Sequence, residues 1–173
     1  MSQFPNRNQF FLIALVLLIA IALVLITWLN PRPFIIWNAS ESVPIGWYMI
    51  EHREPEIHEI AVVKLEAWPQ LYAAERGYLP EKVWLLKPVM AVFPSIVCRF
   101  GNYVLIDGKL VAKAKNVDHQ HRLLPRWKGC LVLKSDELVV IARPNDSFDS
   151  RYFGSIKMYQ VAGVAHRLHF PFE

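Results

Sequence analysis

The sequence is short of the features that mark many catalytic and binding folds. Of its 173 residues only two are cysteine, Cys98 and Cys130, with no Cys-x-x-Cys pair and no Cys/His zinc spacing. Charge of neither sign dominates: 19 Lys and Arg face 15 Asp and Glu, a formal +4. No basic cluster is interleaved with aromatics, which argues against a nucleic-acid partner. HExxH, GxSxG and P-loop motifs are absent, and the six histidines form no recognisable set. Repeats and low-complexity stretches are absent too. At 54% apolar and 20% charged, the chain is neither disordered nor a coiled coil.

What is present first is one long apolar run. Phe10 to Leu29 reads FFLIALVLLIAIALVLITWL, with Thr27 its one polar side chain. Twenty helical residues span about 30 Å, the thickness of a bilayer core. Being a single run, it excludes a polytopic membrane protein. Thr27-Trp28-Leu29-Asn30-Pro31 follows it, without the small-residue pair of a cleavage site, so the reading is an uncleaved anchor in contact with membrane lipid. Trp28 is expected in the interfacial belt. Arg7 before the run and Arg32 after it give little positive-inside asymmetry. The short leader and large following domain favour an inside N-terminus. The expected organisation is a cytoplasmic leader at 1–9, a transmembrane anchor at 10–29 and an exported domain at 30–173.

The exported part reads as mainly β. Apolar and aromatic runs separated by turn residues fall at 34–37, 46–50, 59–65, 83–93, 95–106, 109–113, 130–134, 137–142 and 157–163. Asp107-Gly108 signals a type I′ hairpin. Residues 66–76 (EAWPQLYAAER) read as one inserted helix that Gly77 stops. The expected architecture is a barrel-like or sandwiched sheet. In an exported domain a Cys98–Cys130 disulfide is permitted, and two buried thiols are the alternative.

Three segments carry residues suited to chemistry. In NASESVPIGWY (38–48), Pro44 and Gly46 fix a sharp turn that would present Ser42 to a substrate backbone. In VWLLKPVMAVF (83–93), Lys87 is flanked by Trp84, Leu85, Leu86, Val89 and Met90. Desolvation there lowers its pKa toward neutrality, and a neutral lysine can take the proton of a serine hydroxyl. NDSFDSRYFG (145–154) is a dense polar cluster closing on an aromatic pair and glycine. Each has a plain alternative: Ser42 a turn residue, Lys87 a gatekeeper on an edge strand, Asp149 and Arg151 a surface ion pair. Asp118-His119-Gln120-His121 is read as a solvated loop rather than a metal site.

In this order the three segments resemble the type I signal peptidase family of Ser/Lys proteases, and more closely its TraF-type members of conjugative transfer systems. Ser42-Val43-Pro44 is similar to the nucleophile motif S-x-P. Asn38, Ser40, Ser42, Pro44, Gly46 and Tyr48 resemble the longer TraF-type pattern, with Ser in place of Thr at 40. LLKPVMAVFPS resembles the lysine motif, and Asp149 to Gly154 the D-S-R-Y-F-G signature. AAERGYLP (73–80), VCRFGNYVLIDGKLVA (97–112) and RLLPRWKGC (122–130) also look TraF-like. The resemblance runs from Asn38 to about Leu168.

It implies a signal-peptidase-like β-rich catalytic domain behind one membrane helix. Ser42 would be the nucleophile, Lys87 the general base, Ser40 a side-chain oxyanion donor and Ser147 the residue orienting Lys87. Asp149 and Arg151 would be structural. No cofactor or metal is implied. The substrate would be an exported precursor, foremost a conjugative pilin subunit, trimmed or cyclised through an acyl-enzyme at the periplasmic side of a bacterial inner membrane. Other conjugation machinery would be a further partner. A general type I signal peptidase and a non-enzymatic anchored pilus assembly factor are the competing readings. Three departures from the family pattern bear on local geometry. Pro88 stands where Arg is usual, which predicts an edge strand or a bulge. Phe93-Pro94-Ser95 replaces a Pro-Gly-Asp turn, and His58-Glu59 replaces Gly-Asp.

Overall fold

The computed structural model of the chain describes residues 7–28 and 33–169. Leader residues 1–6, Leu29, Arg32 and the Trp28 side chain, on which expectations were placed, lie outside the described residues. The chain divides after residue 33 into two compact units. The first holds α1 (Arg7–Trp28), which is long and apolar enough to cross a membrane by length and composition. Its large apolar side chains from Phe10 to Leu25 are exposed.

The second unit is mostly β. Its larger sheet contains β1 (Ile35–Asn38), β2 (Gly46–Glu51), β3 (Ile60–Val63), β4 (Leu85–Val92), β9 (Glu137–Val140), β10 (Ile156–Lys157) and β11 (Val161–Arg167). Its strand order is β1-β2-β11-β3-β4-β9-β10, antiparallel throughout. A smaller sheet, in the order β7-β6-β5-β8, contains β5 (Ile96–Phe100), β6 (Tyr103–Ile106), β7 (Lys109–Lys113) and β8 (Gly129–Val132). The helix α2 (Ala67–Glu75) joins β3 to β4, and a single turn, α3 (Ser150–Phe153), follows β9.

Local chemistry explains most of these elements. In β2 buried and exposed residues alternate strictly, with Tyr48 and Ile50 inward and Trp47 and Met49 outward. Asp107 and Gly108 both take positive φ, 49° and 76°, as a type I′ turn between β6 and β7 requires. Gly77 (φ 71°) ends α2, with Tyr78 N–H returning to the Ala73 carbonyl at 2.8 Å.

Two runs differ from expectation. Residues 95–106 form two strands, because Gly101 and Asn102 turn the chain so that Phe100 pairs with Tyr103. Residues 157–163 divide into the short β10, a 3₁₀ turn at Met158–Gln160 and the start of β11. Gly163 is what lets β11 lie against β2: a Cβ there would stand 2.1 Å from the Glu51 carbonyl oxygen.

Three buried clusters hold the unit together. One lies under α2 and α3 and includes Ala61, Leu65, Leu85, Val89, Phe148 and Tyr152. A second, with Val43, Tyr48 and Leu86, occupies the opposite face of the larger sheet. The third joins the two sheets through Ala91 and Val139 on one side and Val97 and Val104 on the other. Cys98 and Cys130, paired across β5 and β8, are disulfide-bonded.

Candidate active site

Lys87 belongs to an interior strand, not an edge. On β4 it faces Ala61 of β3 and is 2% exposed, on the face that carries Leu85 and Val89 into the first cluster. Burial lowers its ammonium from the ordinary 10.5 to about 8, with the Asp149 carboxylate opposing and the Arg151 guanidinium reinforcing the shift. Pro88 is accommodated without an edge. Its carbonyl accepts from Ile141 N–H at 3.1 Å, and the pairing with β9 is irregular between Val89 and Ala91. The expected bulge is there; the expected edge is not. Nor does His58-Glu59 break the ladder, since His58 N–H donates to the Val89 carbonyl and Val89 N–H to the Glu59 carbonyl, each at 2.8 Å. At the altered turn, Ser95 N–H closes on the Val92 carbonyl at 3.0 Å.

Ser42 lies in the loop joining β1 to β2. The Asn38–Gly46 pair closes the neck of this loop, with Gly46 at φ 148°. Val43 anchors the loop in the second cluster. Inside it, the buried Asn38 amide Nδ2 donates to the carbonyls of Ser40 (2.7 Å), Val43 (3.0 Å) and Pro44 (3.1 Å). Its Oδ1 accepts from the Ser40 N–H (3.2 Å) and hydroxyl (3.0 Å). Tyr48 donates its hydroxyl to the Pro44 carbonyl at 2.7 Å. Pro44 thus supplies a doubly held carbonyl as well as a fixed φ.

The segment after β9 brings the third component. Asp149 and Arg151 are buried, so they are not the surface pair that was the plain alternative. Arg151 reaches Asp149 through Nε (2.8 Å) and Nη2 (2.6 Å). The remaining Asp149 capacity is filled by Ala142 N–H (2.9 Å) and Arg151 N–H (3.1 Å). Arg151 Nη2 also donates to the carbonyls of Ala142 (2.9 Å) and Pro144 (2.7 Å). These bonds fold 142–151 into a tight bend, and Ser147 lies within it. Arg99, likewise buried, donates from β5 to the Arg151 carbonyl.

The three segments meet at one point. Lys87 Nζ hydrogen-bonds both Ser42 Oγ and Ser147 Oγ, and the two hydroxyl oxygens are 3.3 Å apart. Ser40, Ser42, Lys87 and Ser147 line one cleft of about 670 Å³. Trp37, Trp84, Tyr78 and Phe148 supply apolar wall, as ligand-binding clefts commonly have. A proton acceptor beside a hydroxyl in such a cleft is equipped for acyl transfer.

The loop at 118–121 is not simply solvated. The Asp118 side chain is 5% exposed and accepts from Tyr78 (2.5 Å) and Arg122 (2.7 Å), latching the loop to the segment after α2. Among the described residues no group of three His, Cys, Asp or Glu is placed to hold a metal. The residue that sequence reasoning passed over is Asn38. It stands in the quoted pattern, but only its five contacts in the loop show its reach.

Residues 7–170 match the family described as "Signal peptidase, peptidase S26", and the chain belongs to that family. It is a family of serine peptidases that act on exported precursor proteins. A signal peptidase I from Enterococcus faecalis V583 is similar in structure at TM-score 0.39 and 17% identity, over 66% of this chain and 98% of that one. No curated protein matches the sequence significantly.

Proposed function

We propose that the protein is a membrane-anchored serine endopeptidase working through a Ser42/Lys87 dyad, and that its substrate is a conjugative pilin precursor. The observation that carries the reading is the buried lysine amine bonded to two serine hydroxyls that come from distant segments. With its pKa near 8, about a tenth of Lys87 is neutral at pH 7. The neutral amine takes the Ser42 proton as Oγ bonds to the scissile carbonyl carbon. Collapse of the adduct breaks the C–N bond, and Lys87 returns the proton to the leaving amine. Water or a substrate amine then resolves the ester. Ser147 holds the Lys87 amine toward Ser42. The oxyanion donors are the Ser42 N–H and the Ser40 hydroxyl, which turns from Asn38 to the substrate oxygen.

The pilin substrate rests on the TraF-like segments quoted above. Residues 10–29 are the anchor, the leader at 1–9 is cytoplasmic, and the domain from residue 30 onward lies on the periplasmic side of the inner membrane. A domain held at a membrane surface, on whichever side, is supported by an exposed apolar ladder beginning a few residues beyond the anchor along the chain. In it Ile35 pairs with Met49 and Trp37 with Trp47, the two indoles edge-to-face at 5.2 Å. Such a face suits the headgroup region.

The test is mass spectrometry of the pilin precursor in cells carrying the transfer system. Wild type is compared with Ser42→Ala and Lys87→Ala at matched protein levels. Uncut precursor in both variants supports the dyad and the substrate. Normal processing in both overturns the assignment.

A further inference from the structure

The loop that presents Ser42 owes its shape to one buried side chain. Asn38 ends β1, opposite Gly46, and is 5% exposed. Its Nδ2 has two hydrogens and meets three carbonyls, those of Ser40, Val43 and Pro44, which flank Ser42 on both sides. Its Oδ1 holds Ser40 by main chain and side chain together. No aliphatic or hydroxyl side chain can do both tasks. Aspartate, its isostere, keeps the acceptor but turns an oxygen toward three carbonyl oxygens.

We propose that Asn38 is the positioning residue of the nucleophile loop. It sets Ser42 Oγ against the Lys87 amine and holds the Ser40 hydroxyl in reserve at the cleft wall. This rests on the Ser42/Lys87 reading and deepens it. The hydrogen bonds of Asn38 reach neither Ser42 Oγ nor Lys87 Nζ; it acts through the backbone of residues 40–44 and the Ser40 hydroxyl. With burial on β4 and the Ser147 hydroxyl unchanged, losing Asn38 lowers the rate of acylation and leaves probe binding as it was.

The experiment is labelling of the full-length protein, in detergent micelles, by a biotinylated fluorophosphonate. It is run at several probe concentrations, with the modified residue mapped by mass spectrometry. Asn38→Ala and Asn38→Asp are each measured below their own thermal unfolding transition. For both, the limiting labelling rate is expected to fall about 100-fold, the scale of an ångström-level misplacement, while the probe concentration giving half that rate stays at the wild-type value. Labelling of either variant at the wild-type rate overturns the inference. So does a loss that merely tracks the fraction unfolded, since Asn38 would then be a stability residue. An Asp variant that labels fast beside a slow Ala variant also contradicts it, by moving the role from the carbonyls to Ser40 alone. Wild-type protein left unlabelled at Ser42 overturns the nucleophile assignment itself, whatever the variants do.

Discussion

Lys87 lies directly across the β3–β4 ladder from Ala61, and both side chains are buried on the same face of the sheet. The small partner leaves width for a four-carbon stem but brings no counter-charge. The folded protein therefore holds an amine that it prefers unprotonated.

That preference works against stability at neutral pH. Below pH 8 both the folded and unfolded chains carry the Lys87 proton, and the full burial penalty applies. Between about 8 and 10.5 only the unfolded chain binds it, so stability rises with pH across that window. Lys87→Met is expected to be more stable than wild type by about 3 kcal/mol at pH 7, with the gap closing toward pH 10.5. Denaturant melts at pH 7, 9 and 10 measure it; parallel stability curves would count against a buried titrating amine.

Ser147→Ala removes one of the two hydroxyls that hold the Lys87 amine. Hydrogen bonds to charged groups are worth about 1.5–3 kcal/mol, so kcat is expected to fall about 10- to 100-fold. The lost hydroxyl had favoured the ammonium, so the pH–rate midpoint should move below that of wild type. A fall in rate with no movement of the midpoint would speak for a steric role instead.

Asp149→Ala strands the Arg151 guanidinium in the interior. Breaking a buried pair from one side costs about 3–5 kcal/mol, a large share of an ordinary domain's stability. Thermal unfolding should show a large drop, with activity falling as folded protein is lost. Wild-type stability for this variant would mean the pair is not the clasp that shapes residues 142–151.

Gly163→Ala tests the sheet order. With φ at 156° and the Glu51 carbonyl 2.1 Å from the position a Cβ would take, β11 cannot keep its place beside β2. A loss of about 3 kcal/mol or more is expected in the same melts.

What was legible in the sequence was local. The alternation of β2, the Asp107-Gly108 turn and the Gly77 stop each depend on residues a few positions apart. The apolar flanks of Lys87 announced its burial and lowered pKa. What escaped depends on contacts across the chain. Nothing near residue 163 shows that β11 inserts between β2 and β3, and the Gly101-Asn102 turn lies inside what reads as a single segment from 95 to 106. Asp149 and Arg151 look like surface residues until Ala142 and Pro144 are folded around them. Pro88 allows an edge strand or a bulge, and only the pairing of β4 with β9, irregular between Val89 and Ala91, decides for the second. Asn38 stands first in the motif around Ser42, but the motif does not show which carbonyls surround its amide.

Whether Lys87 is the base for Ser42 is read from the pH dependence of Ser42 acylation in wild type and Lys87→Ala. The wild-type rate is expected to rise about tenfold per pH unit and level off near pH 8, with no acylation of Ser42 in Lys87→Ala. Ser42 acylated at the wild-type rate in Lys87→Ala, or a rate insensitive to pH between 6 and 9, would contradict that role.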